Sequence, residues 1–201
     1  LTPGGINNRR PDRALIVYTN LIKRYFKNTV PIVLGGIEAS LRRVAHFDFW
    51  DNKIRRSILL DAKADVLIYG MAEKSLLQLA HLMNYNDENY LEKLKNLPGA
   101  TYMSSQVPRE YEELPSFETV QQDKEAFAVM FEKFYKNISS NIRKGQYQKY
   151  HNRYLVINYP SENLTTEELD EIFDISFFRN IHPFYKKMGQ IKAIDTVRYS
   201  I

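Results

Sequence analysis

The sequence predicts an α/β fold: a small, mainly parallel sheet of about four strands with flanking helices, followed by a helical extension. Two observations carry this. Pro31-Ile32-Val33-Leu34 and Asp65-Val66-Leu67-Ile68-Tyr69 are short, β-branched apolar runs, too short for buried helices and continuous enough for interior parallel strands. Each ends at glycine, Gly35-Gly36 and Gly70, and two helical patterns lie between them. A strand, a helical crossover and a parallel strand join right-handedly, with helices covering the sheet.

The elements follow in order. Leu1 to Arg10, with Pro3, Gly4 and Gly5, is an irregular arm. Pro11 suits a first helical position, and Ala14, Tyr18, Leu21, Ile22 and Tyr25 recur at helical spacing to about Phe26. After the first strand, Ile37, Leu41, Val44 and Ala45 share one helix face. Glu38 near its start and Arg42 and Arg43 near its end complement the helix dipole. A second helix is expected after Asp51 as N-cap, with Ile54, Ile58 and Leu59 on one side. The aromatic run Ala45 to Asp51, which holds the single tryptophan, reads as a core plug, with a pocket lining as the alternative.

Beyond Gly70 a helix places Leu76, Leu79, Ala80 and Met83 towards the sheet. Asn84 to Asn89 is a polar break, Tyr90 to Leu97 a short helical turn, and Ala100 to Ser104 a third strand after the Pro98-Gly99 turn. Val107 to Ser116 reads as a surface connection. Phe117 to Ile138 is the longest helical pattern, stacking Val120, Phe127, Met130, Phe131, Phe134 and Ile138. Ser139 to Arg153 reads as a polar linker, and Tyr154 to Asn158 as a fourth strand. Thr165 and Glu168 form a capping box for a helix, after which Phe173, Phe177, Phe178, Ile181, Phe184 and Tyr185 make an apolar stretch. The expected organisation is an arm over 1–10, an α/β domain over 11–158 and an extension over 159–201.

With 201 residues, 44% of them hydrophobic, the chain is long enough for one ordinary core. The first residue is Leu1 rather than methionine and the chain ends on a β-rich run, so a fragment of a longer protein is expected. No run of about 18 apolar residues and no signal-peptide layout occurs, which predicts no membrane partner and a cytoplasmic location. With no cysteine, neither disulfides nor thiolate metal ligands form within these residues. His46, His81, His151 and His182 are not at metal-binding helix spacing, so no metal is assigned.

The net charge of +4 is uneven: residues 1–63 hold 12 Lys and Arg against 5 Asp and Glu. Such a basic third can hold RNA, nucleotide phosphates or an acidic partner, or simply be solvated. Tyr147, Tyr150 and Tyr154 interleaved with Lys144, Lys149 and Arg153 also fit RNA stacking, although a surface loop is the plainer reading.

Ligands of such sheets bind outside the carboxyl ends of the strands, which here are the Gly35-Gly36 and Tyr69-Gly70 turns. The candidate ligand-binding residues are therefore Gly35, Gly36, Glu38, Ser40, Arg42, Arg43, His46, Tyr69 and Gly70. A nucleotide-binding domain at Gly35-Gly36 is an alternative function. The turn lacks the Gly-x-Gly-x-x-Gly pattern and the P-loop lysine. No catalytic residue is assigned.

Several strings occur together in one order: Arg10-Pro-Asp-Arg-Ala14, the run Pro31 to Arg43, Ala45-His-Phe-Asp-Phe-Trp50, Arg55-Arg-Ser-Ile-Leu59, Asp61 to Asp65 and Tyr69-Gly-Met71. Leu164 to Leu169, His182-Pro183 and Val197 to Ile201 follow in the tail. This order resembles the N-terminal region of YgiQ-type radical SAM proteins. The resemblance implies a cobalamin-binding-like, Rossmann or flavodoxin-like fold, in which the third strand is an edge, and a final strand leading into a radical SAM barrel of the same parent chain. It also implies a [4Fe-4S] cluster and S-adenosylmethionine, held by Cys-x3-Cys-x2-Cys in that barrel and not by this chain. The function it implies is that of an N-terminal accessory domain that helps bind or orient an unspecified substrate, with an RNA-binding module as the alternative. No Asp-x-His-x-x-Gly string of cobalamin modules occurs, and no cofactor is assigned to these residues.

Overall fold

The structure is a computed structural model that describes residues 2–6, 10–84, 90–139, 143–178 and 180–197. It divides into a larger unit, Leu15–Glu162, and a smaller one made of Leu1–Ala14 and Asn163–Ile201.

The larger unit is built on a six-stranded sheet. Its strands are β1 (Val33–Leu34), β4 (Val66–Ile68), β5 (Ala100–Ser104), β6 (Glu112–Leu114), β7 (Gln146–Tyr150) and β8 (Arg153–Ile157), in the order β1-β4-β5-β8-β7-β6. A separate two-stranded ribbon pairs β2 (His46–Asp48) with β3 (Lys53–Arg55). The helices of this unit are α1 (Ala14–Tyr25), α2 (Gly36–Leu41), α3 (Ile58–Asp61), α4 (Glu73–Asn84), α5 (Tyr90–Leu94), α6 (Phe117–Gln122) and α7 (Lys124–Ser139).

Two strand pairs, β1 with β4 and β6 with β7, are parallel, and the three central pairs are antiparallel. The sheet is thus mixed, where a mainly parallel one of fewer strands was expected. Strand β5, which was expected, pairs antiparallel with both β4 and β8, and the polar segment Ser139 to Arg153 contains a further strand, β7, which turns through His151 (φ 52) and Asn152 into β8. The buried alternate positions of β7 are Gln146, Gln148 and Tyr150, so its core face does not read as apolar. Val107 to Ser116 likewise contains edge strand β6, whose Leu114 is buried. β5 lies between β4 and β8 rather than at an edge.

Alternation along the strands divides the core by sheet face. One cluster joins Leu34, Leu67, Leu155 and Ile157 to Ala39 of α2, Leu59 of α3, Val120 of α6 and Met130 and Phe134 of α7. The other joins Val66, Ile68, Ala100, Tyr102 and Val156 to Leu79 of α4 and Leu94 of α5. The α/β class and the flanking helices stand.

Several local expectations change. Ser57, not Asp51, caps the second helix: its hydroxyl accepts from Leu59 N at 3.3 Å, and the residues after Asp51 form β3. The aromatic run is no core plug, because Phe47, Phe49 and Trp50 are exposed on the β2–β3 ribbon and only Ala45 and Asp48 go inside. In α2 the packed residue is Ala39, while Ile37 and Leu41 are exposed. In α4, Leu79 is buried and Leu76 and Ala80 face outward. In α1, Leu15 and Ile16 pack on the core, and Tyr18, Leu21, Ile22 and Tyr25 are exposed. The long helical pattern breaks at Asp123 into α6 and α7.

In the smaller unit, α8 (Thr166–Asp174) has the expected capping box, with Glu168 N donating to Thr165 Oγ1 at 3.2 Å and Thr165 N to Glu168 Oε2 at 2.8 Å. A 3-10 turn at Pro183–Met188 follows, and α9 (Ile194–Val197) ends the described chain. Residues 198–201, most of the expected lead-in strand, lie outside the described residues, as do 85–89 of the polar break.

Candidate functional site

Parallel pairing of β1 with β4, in the register Val33 to Val66 and Leu34 to Leu67, sets the Gly35-Gly36 turn beside the end of β4. Ser40 Oγ of α2 accepts from Gly70 N at 3.2 Å and ties the two turns together. Gly36 (φ 85) and Gly70 (φ 74) occupy the left-handed region, which accounts for glycine there. Gly35 is different. Its φ of −152° is open to any residue, and a Cβ on it would meet nothing nearer than Ile68 O at 3.9 Å. Neither conformation nor packing requires glycine at this position, and the space above the paired strand ends is open.

Arg43 and Tyr69 lie beside this turn but are built inward. The Arg43 guanidinium sits between the rings of Tyr69 and Phe134, 4.1 and 4.3 Å from their centroids, and the residue is only 6% exposed. Its Nη1 donates to Ser40 O, and its Nε is buried without a hydrogen-bond partner. Burial lowers its pKa to about 10 against the opposing pull of the Tyr69 phenol. The aromatic sandwich is what compensates the buried cation. Tyr69 donates through its hydroxyl to Asn158 O at 2.5 Å, and burial pushes its phenol pKa up. On the outer side of α2, Arg42 Nη1 and Glu38 Oε1 pair at 3.2 Å, one helical turn apart. Of the nine candidates, Gly35, Gly36, Ser40 and Gly70 therefore converge at the turn; Tyr69 and Arg43 are buried beside them, and Glu38 and Arg42 neutralise each other.

His46 belongs to a second feature. It lines a cleft of about 370 Å³ with Leu41, Val44, Ala45, Phe47, Phe127, Phe131 and Phe134. Its Nδ1 lies 3.1 Å from Val44 O. Since a carbonyl only accepts, Nδ1 carries the proton and Nε2 is left as an acceptor. Burial lowers the His46 pKa, and Arg42 lowers it further, against the raising influence of the Val44 carbonyl, Asp61 and Asp48. The sequence pattern of α7 singled out its phenylalanines, but as core. What reveals the cleft is the ribbon opposite them.

Several cations of the first third are paired with carboxylates. Arg55 pairs with Asp48, Asp51 and Asp61 at 3.6, 3.1 and 2.8 Å, Arg56 with Asp61 at 3.0 Å, and Lys23 with Asp65 at 3.4 Å. Tyr150 is buried and cannot stack on a base. The RNA reading gains no support. Nor do the residues suit an iron–sulfur cluster: there is no cysteine, and among the described residues no group of three or more His, Asp or Glu side chains is placed to hold a metal. No helix among the described residues is long and apolar enough to cross a membrane.

Residues 1–200 match the family described as radical SAM N-terminal. A UPF0313 protein of Fusobacterium nucleatum is 48% identical over 201 residues, covering all of this chain and 34% of its own length. UPF0313 proteins of Thermotoga neapolitana and Clostridium botulinum are 48% and 45% identical over 202 residues, with 35% and 31% of their lengths covered. The chain thus spans about a third of the length of these curated relatives. No solved structure matches it.

Proposed function

The chain belongs to the radical SAM N-terminal family, and on that premise we propose that it is the accessory domain of a cytoplasmic radical SAM protein. In this reading a barrel in the same parent chain holds the [4Fe-4S] cluster and S-adenosylmethionine, and these residues bind or orient the substrate. The observation that carries the reading is the open turn at the paired ends of β1 and β4. Gly35 is a glycine the fold does not itself need, at the place where α/β sheets seat ligands. The chain supplies no thiolate, so its part is positioning rather than cluster chemistry.

The test is a Gly35→Val variant of the full-length parent, reconstituted with cluster. Cluster content and basal cleavage of S-adenosylmethionine should match wild type, while stimulation of cleavage by a small-molecule extract of the source cells should be lost. Retained stimulation refutes the reading. Thermal stabilisation of the chain by ATP or GTP, abolished in Gly36→Val, would assign the turn to a nucleotide instead.

A further inference from the structure

The cleft beside His46 and the ribbon next to it have no role in the site at the strand ends. Val44, Ala45 and Phe134 are buried at the cleft, and Leu41, Phe47 and Phe131 at its rim are 70%, 50% and 54% exposed. The same ribbon carries Phe49 and Trp50 at its tip, with rings 5.4 Å apart and exposures of 70% and 64%. This tip is held firmly. Trp50 N donates to Asp48 Oδ1 at 3.0 Å, and the buried Asp48 carboxylate faces Arg55. The rings are therefore displayed by a fixed turn, not by a loose loop. Large exposed apolar side chains on the ribbon that also lines an apolar cleft point to an interaction site, and tryptophan and other large rings dominate interface energetics.

We propose that the ribbon tip and the cleft form the docking surface for the remainder of the parent chain. That segment would place an apolar side chain in the cleft and give an N–H or O–H hydrogen bond to His46 Nε2. The inference rests on the accessory-domain reading. The occupant follows from length: the relatives run to about three times this chain, so a larger partner is tethered to it at high effective concentration. A cleft of about 370 Å³ takes one or two side chains, and a free small molecule would leave Phe49 and Trp50 uncovered. A docked segment covers both.

Hydroxyl-radical footprinting tests this. Trp50 should be oxidised at least about fivefold more slowly in the full-length parent than in this chain, since a docked partner excludes water from the interface core. Phe131→Glu in the parent should return the rate to that of the chain, while the variant chain keeps its Tm. Equal rates in parent and chain overturn the proposal. So does protection that Phe131→Glu leaves intact, and so does protection of the isolated chain that grows with its concentration, which would assign the surface to a second copy. An unchanged extract response in the Gly35→Val parent faults the accessory reading and leaves Trp50 protection untouched, so the two failures are distinguishable.

Discussion

Replacing Gln148 by leucine tests what holds the aromatic ribbon in place. Gln148 is fully buried; its Oε1 accepts from Ala45 N at 3.0 Å and from Tyr150 OH at 2.9 Å, and its Nε2 donates to Pro115 O at 3.0 Å and contacts Met130 Sδ at 3.1 Å. Tyr150 OH in turn accepts from Ser57 N, the N-cap of α3, at 3.1 Å. Leucine preserves the volume but strands the Ala45 N–H and the Pro115 carbonyl, at about 1–3 kcal/mol each. The added apolar burial offsets about 1–2 kcal/mol of this. A net loss of about 3 kcal/mol is expected, which for a chain of this size lowers Tm by about 6–12 °C. Thermal unfolding followed by circular dichroism reads it. Tyr150→Phe should cost less, about 1–2 kcal/mol, through the stranded Ser57 N–H. The double variant should fall short of the sum by about 1 kcal/mol because the two side chains share a hydrogen bond. A loss below about 1 kcal/mol for Gln148→Leu, or strict additivity, would refute the argument that this buried relay fixes the ribbon.

Three further outcomes are expected. Gly145→Ala puts a Cβ inside the Tyr111 ring, so the ring must leave and its 3.0 Å hydrogen bond to Asn158 Oδ1 breaks; denaturant titration should show a loss of about 2 kcal/mol. Arg43→Met fills the slot between Tyr69 and Phe134 without a desolvated cation and should leave stability within about 1 kcal/mol of wild type, whereas Arg43→Ala opens a cavity and should lose about 2–4 kcal/mol. For His46, folding lowers the pKa below its ordinary 6.5, so as pH falls through that value the unfolded chain takes up the proton first and stability declines; Tm measured from pH 7.5 to 5 should fall more steeply in wild type than in His46→Gln.

The sequence made β1, β4, β5 and β8 legible because their buried residues are apolar on one or both faces. It hid β7 because glutamine can occupy a core position when its amide is satisfied, as Gln148 is, and periodicity counts such residues as solvent-facing. The parallel character was over-read for another reason: β4–β5 and β5–β8 join strands that were legible but pair antiparallel, and strand direction is not written in the hydrophobic pattern. The meeting of the Gly35-Gly36 and Tyr69-Gly70 turns, where the ligand site is proposed, was legible because strand ends and glycines are written locally. The cleft was not, since it takes Phe127, Phe131 and Phe134 from α7 and His46 from a ribbon some eighty residues earlier, and no local spacing records that meeting. Phe49 and Trp50 were misassigned to the core because hydrophobicity alone does not separate a buried ring from an exposed one.

The two proposed surfaces share one element, α2. Its first turn is the Gly35-Gly36 corner, its Ser40 hydroxyl holds Gly70 N, and its last residue, Leu41, is on the rim of the cleft. Six residues of helix span about 9 Å, which is the separation along α2 between Leu41 and the glycine turn. Arg43 ties the end of α2 to the core, because its guanidinium lies between a ring from the end of β4 and a ring from α7 while donating to Ser40 O. A segment seated against Leu41, Phe47 and Phe131 would therefore contact the helix that starts at the paired strand ends. In the accessory-domain reading, α2 is the element common to the proposed docking surface and the proposed ligand turn.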